Sequence, residues 1–138
     1  MKNLRYEGLG FPVYLIGAKT FEFHGEVLPD INHRKLEDAV FKLLLWLPAQ
    51  FSGSHLAFVR GYMGLSQKAF ATILGLKTHA TISGWESKKD KPTGMPSTTE
   101  VVVRLLMAKV IKDNAFPSHF SEFLQVGKSP NYIELKVA

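Results

Sequence analysis

Apolar residues along this chain change their spacing from one stretch to the next, and each spacing predicts an element. Phe11 to Ile16 (FPVYLI) is a short apolar run bounded by turn formers, which predicts a strand, and Thr20 to Phe23 predicts a second. Gly17-Ala18-Lys19 lies between them, so the two strands are expected to form a hairpin. From Asn32, a capping residue type, a helical stripe runs through Leu36, Val40, Leu43 and Leu47 until Pro48 stops it. Phe41, Leu44, Leu45 and Trp46 make its second half apolar nearly all round. Such a helix must be covered on several sides. It is expected either between the N-terminal sheet and the helix-turn-helix or in a dimer interface.

Ser54 is expected to cap a helix carrying Leu56, Val59 and Met63. Ser66 caps the next, Gln67 to Leu74, and Gly75 ends it where a positive φ is needed. Thr78 then caps a short helix whose inward residues are Ile82 and Trp85. A polar loop, Glu86 to Pro96, follows. Ser97 and Glu100 have the spacing of a capping box for a helix through Val101, Leu105, Leu106, Val110 and Ile111. After Pro117, Ser118 to about Gln125 predicts a last short helix with Phe120, Phe123 and Leu124. The tail Asn131 to Val137 alternates strictly, with Ile133, Leu135 and Val137 on one side. That predicts a half-buried strand, paired with the N-terminal hairpin or with a partner chain. The expected fold is mainly α (α+β), a helical bundle with a small N-terminal β-hairpin and a C-terminal strand. Its segments are 1–53, 54–113 and 114–138.

The central pair of helices carries the functional expectation. Two short helices joined by a Gly-containing turn form the DNA-binding helix-turn-helix, whose second helix enters the major groove. Ala71 sits where the helices would cross and a large side chain would separate them. Leu65, Phe70, Leu74, Leu76, Ile82 and Trp85 are expected to fill the shared core. Gln67, Lys68, Thr78, His79, Ala80, Thr81, Ser83 and Gly84 then face outward, and none of them is acidic.

LSQKAFATILG followed by TISGWE resembles the XRE (Cro and lambda-repressor) class of helix-turn-helix domains. The wider chain, through GLGFPVYLIG, HLAFVR and PSTTEVVVRLL, is similar to the MqsA-type branch of antitoxins and small regulators. The resemblance implies a backbone contact to DNA from Gln67 and a protein toxin as a second kind of partner. MqsA also carries a cysteine-ligated zinc module, for which this chain has no cysteine.

Composition narrows the picture. The absence of cysteine excludes disulfides and thiolate metal sites. Met1 to Glu7 is polar and the longest apolar run, Leu43 to Leu47, is far too short to span a bilayer, so a cytoplasmic protein without a membrane partner is expected. The net charge of +5 is concentrated. Residues 54–113 hold nine Lys and Arg against four Asp and Glu, while the segments on either side are each balanced. A positive excess on the same segment as the motif is the footprint of a phosphate binder.

Within that segment His79 and Ala80, then Ser83 and Gly84, are placed for base edges, and Thr78 and Thr81 for phosphate oxygens. Lys68, Lys88, Lys89 and Lys91 would add affinity without choosing sequence, or simply keep a loop solvated. No Arg or Asn stands on the reading face, so DNA shape and half-site spacing should matter. His24, His33, His55 and His119 lack metal-ligand spacing and are expected to be structural or surface residues, with no metal or other cofactor. No P-loop, GxGxxG, GxSxG or cysteine nucleophile occurs, so an enzyme is not expected. The leading expectation is a homodimeric, sequence-specific transcriptional regulator on a palindromic operator. The alternative is an antitoxin that binds a protein toxin and represses its own operon.

Overall fold

A computed structural model describes residues 2–127 and 133–136. The fold mixes α and β. Among the described residues, five α-helices stand with a three-stranded sheet and a separate two-stranded one. Strand β1 (Lys2–Tyr6) pairs antiparallel with β2 (Val13–Ala18), and β5 (Ile133–Lys136) pairs parallel with β2 on its other side. The central strand β2 therefore buries Val13, Leu15 and Ala18. The C-terminal strand finds its partner on the N-terminal sheet, one of the two options its alternation left open. Tyr132 and Val137 lie outside the described residues.

The expected hairpin between β2 and the next strand does not form. Strand β3 (Thr20–Phe23) pairs instead with β4 (Glu26–Pro29), across a tight turn in which His24 and Gly25 have φ of 50° and 79°. Two successive positive φ values define the hairpin turn whose twist matches its strands. Gly17 has a positive φ for another reason. Leu4 faces Leu15 while Lys2 faces Ala18, so β2 carries one extra residue at a bulge there. The Gly17 N–H donates to Asn3 Oδ1.

Helix α1 (His33–Leu45) starts where Asn32 accepts the Lys35 N–H, as its sequence predicts. It packs against β5, α2 (Gly53–Tyr62) and α5 (Ser97–Ile111), burying Leu36, Val40, Phe41, Leu44 and Leu45. The helix thus lies between the sheet and the flanking helices α2 and α5, rather than directly against the central helix pair as expected.

Ser52, not Ser54, caps α2. Its hydroxyl accepts the His55 N–H and His55 Nδ1 accepts the Ser52 N–H, a reciprocal capping box. The expected box at Ser97 and Glu100 is absent. Glu100 turns inward instead, where its carboxylate accepts from the Phe51 N–H and from Arg104. Arg104 is fully buried. Its guanidinium donates to the carbonyls of Leu44, Leu45, Leu47 and Ala49 and lies against the rings of Phe51 and Phe123 at 4.4 and 4.7 Å. The last carbonyls of a helix have no intrahelical donor. Arg104 supplies one to the end of α1 and to the loop beyond it.

Past α5, the expected short helix is two 3₁₀ turns, Phe116–Ser118 and Phe120–Phe123, with Phe116 and Phe123 buried and Phe120 exposed. A single hydrophobic cluster draws residues from all three sequence segments.

Candidate nucleic-acid interface

The central pair is α3 (Gln67–Ile73) and α4 (Ala80–Glu86). Ser66 accepts the Ala69 N–H, which starts α3 as expected. The helix buries Phe70 and Ala71. It ends in a Schellman motif: Gly75 has φ of 71°, its N–H donates to Thr72 and the Leu76 N–H to Ala71. The small side chain of Ala71 is therefore buried at the C-terminal end of α3, just before the turn, and α3 and α4 are in contact.

His79 already has helical dihedrals, and the Thr78 hydroxyl accepts the Ala80 N–H at 3.2 Å. The residue at the cap position is therefore His79, whose side chain makes no capping bond, and Thr78, expected there, stands one residue earlier and holds only the Ala80 N–H. Ile82 is buried and Trp85 half-buried against the core. Thr78, His79, Ala80, Ser83 and Gly84 are exposed, and Thr81 is half-exposed. Nothing lies within 4 Å of a Cβ built on Gly84. That glycine makes no room inside the protein; it leaves the outer face of α4 flat.

What aims α4 was not read from the sequence. Arg60, on α2, binds Glu86 at the end of α4 through two hydrogen bonds of 2.6 and 2.9 Å, and its third nitrogen donates to the Leu65 carbonyl. Gln67 donates to the same Glu86 carboxylate at 3.2 Å. Glu86 holds the Arg60 pKa above its ordinary value. One carboxylate therefore ties α2, α3 and α4 together. Gln67, expected to face DNA directly, is half-buried and spends its amide on this clamp. The signal was present as an Arg in HLAFVR and the Glu of TISGWE, but nothing local joined them.

The lysine loop is also fixed. The Gly53 and Ser54 N–H groups donate to the carbonyls of Lys91 and Lys89, and the Thr93 N–H donates to Phe51. Gly53 is required there, because a Cβ would come within 2.6–2.7 Å of the backbone of Trp85, Glu86 and Lys89. Lys88, Lys89 and Lys91 are exposed on this stitched loop, directly after α4.

Of the expected site residues, Lys68, Thr78 and His79 come together around a shallow hollow of about 310 Å³. Lys77, which the sequence reading passed over, lines it too. Its position immediately before Thr78 was the available clue. Ser83 and Gly84 lie one turn further along α4, outside that hollow.

The remaining histidines have structural surroundings. His55 is buried, edge-on to Phe11 at 4.8 Å, and burial lowers its pKa to about 4, with the Arg104 charge adding to the effect. His119 contacts Glu122, and His33 faces Glu37. Among the described residues no helix is long and apolar enough to cross a membrane. No family model, curated protein or solved structure matches this chain.

Proposed function

We propose that the chain is a helix-turn-helix regulator that binds duplex DNA in a sequence-specific manner as a homodimer, with α3 and α4 as the motif and α4 as the reading helix. One observation carries this reading. Between residues 67 and 86 the sequence holds a single carboxylate, Glu86, and Arg60 and Gln67 sequester it. The outer surface of α4 is left small and free of acid, and around it Lys68, Lys77, Lys88, Lys89 and Lys91 outnumber the one exposed acid of the following loop, Asp90. A convex helix with a flat, uncharged tip and a cationic surround suits a groove between phosphate rows.

On this reading Thr78 and Lys68 meet backbone phosphates, His79 and Ala80 approach base edges, and Ser83 and Gly84 allow the helix to sit close. A single helix reads only a few base pairs, so two copies on a palindrome supply useful specificity. The antitoxin role that the family resemblance implies would need a protein-binding face outside this surface.

The test is fluorescence polarisation with DNA from upstream of the chain's own gene. Nanomolar to micromolar binding that weakens with salt is expected. Replacing Thr78, His79 and Ala80 by Glu should abolish it without unfolding, since acidic residues are favourable in a first helical turn. Binding that survives this change would overturn the assignment.

A further inference from the structure

Two features lie away from the DNA-facing surface. The β3–β4 hairpin packs chiefly against itself. A lone two-stranded hairpin is marginally stable in water. This one exposes apolar side chains on both faces: Phe21 and Phe23 are 46% and 57% exposed on one, Val27 44% on the other. Residues 20–29 include Glu22 and Glu26 and no Lys or Arg.

The second feature is an open groove of about 960 Å³ between α1, the end of α2 and the end of α5. Trp46, Tyr62, Met63 and Ile111 give it apolar walls. Both of its acids are occupied. Asp38 accepts from the Tyr62 hydroxyl at 2.5 Å and faces Arg34; Asp113 accepts from the Trp46 indole at 2.7 Å and from two backbone N–H groups. Lys42 and Lys112 on the rim are exposed, and neither lies within ion-pair distance of a carboxylate among the described residues. Asp113, held below the usual carboxylate range first by the Trp46 indole and then by the two backbone N–H groups, also feels the Lys42 charge.

We propose that two copies of this chain associate by reciprocal insertion, the β3–β4 hairpin of each entering the α1–α5 groove of the other. The hairpin shows Phe21 and Phe23 on one face and Val27 beside Glu22 on the other, and carries acid but no Lys or Arg; the groove is apolar within and bears Lys42 and Lys112 on its rim. When both hairpins are exchanged within one pair the contact is two-fold and closed, whereas one-way insertion would leave a free hairpin and groove at the ends and build a filament, which the sedimentation would show as larger species. The proposal deepens the dimeric part of the DNA-binding reading, and its surfaces are separate from those that would face DNA.

The experiment is sedimentation of the full chain with charge-swapped pairs. Glu22→Lys with Glu26→Lys, and Lys42→Glu with Lys112→Glu, should each weaken self-association by more than about a hundredfold, because like charges then face one another. Mixing the two variants should bring back a heterodimer, because both of its contacts, swapped hairpin with swapped groove and native hairpin with native groove, again pair opposite charges. Phe21→Ser with Phe23→Ser should give monomers that no mixture rescues fully. A wild-type chain that stays monomeric, swapped variants that dimerise normally, or a mixture without recovery would overturn the proposal. So would a hairpin covered instead by the adjacent gene's product in a one-to-one complex. Monomeric variants that still bind a half-site would leave the DNA reading standing. A wild-type dimer with no DNA affinity would sink that reading alone.

Discussion

Two arginine–carboxylate pairs divide the work of this molecule. Arg104 and Glu100 are buried in the core, where the guanidinium caps the end of α1, lies against two phenylalanine rings and braces α5. Arg60 and Glu86 sit nearer the surface and tie the outermost helix, α4, to α2 and α3. The chemistry is the same and the consequence differs. The first pair is part of the scaffold; the second fixes where the scaffold points its exposed face. Their burial should decide which one stability depends on and which one binding depends on.

The largest expected effect belongs to the core pair. Arg104→Met leaves the Glu100 carboxylate buried without its counter-charge, held among the described residues only by the Phe51 N–H, and strips a donor from the carbonyls at the end of α1 and beyond it, so it should cost about 3–5 kcal/mol in chemical denaturation, enough to threaten a small domain. A loss under about 1 kcal/mol would mean that the buried network is replaceable.

The next effect lies between the two regions, at His55, which caps α2 and feels the Arg104 charge. Its folded pKa is lowered to about 4 from an unfolded value of 6.5. Between those values the unfolded chain binds the proton more readily. Stability is therefore full above pH 6.5 and falls as pH drops toward 4, by up to about 3 kcal/mol. His55→Gln, which retains a capping acceptor, should flatten that part of a stability–pH profile measured by urea unfolding.

Arg60→Met should be milder for the fold, about 2 kcal/mol, because its pair is only partly buried. Hydrogen exchange should rise in α4 while α1 and α5 stay protected, and DNA affinity should fall more steeply than stability. Equal losses throughout the chain would erase the distinction between the two pairs.

Gly84→Ala is the smallest and reverses the usual sign. Alanine should stabilise α4 by roughly 0.5–1 kcal/mol, since nothing crowds the added methyl. If α4 lies close in a groove, the same change lowers DNA affinity, as paired melting and polarisation measurements would reveal.

What could be read from the sequence was what is decided locally. Asn32, Ser66 and Gly75 each act within three residues along the chain, and each does what its type and position imply. Distant partners were the difficulty. Ser97 and Glu100 have capping-box spacing, yet the Phe51 N–H and Arg104 bind the carboxylate instead. Arg104 interrupts the run VVVRLLM four residues after Glu100, a spacing that hinted at an inward pair. Gly17-Ala18-Lys19 has the composition of a turn, but a glycine with positive φ serves a bulge equally well: the turn sits at His24-Gly25 and the bulge at Gly17. At the candidate site the exposed residues were legible as a set. The Arg60 clamp was not, since 26 residues separate its halves.

The central claim is that the α4 surface and its lysine loop face the phosphates of duplex DNA. Its most direct test is the slope of log binding constant against log salt concentration, for the wild-type chain and for Lys88→Gln, Lys89→Gln and Lys91→Gln together. A clear negative slope is expected, made shallower by roughly one for each lysine that contacts a phosphate. A flat line, or a slope that the triple change leaves unaltered, would contradict the account.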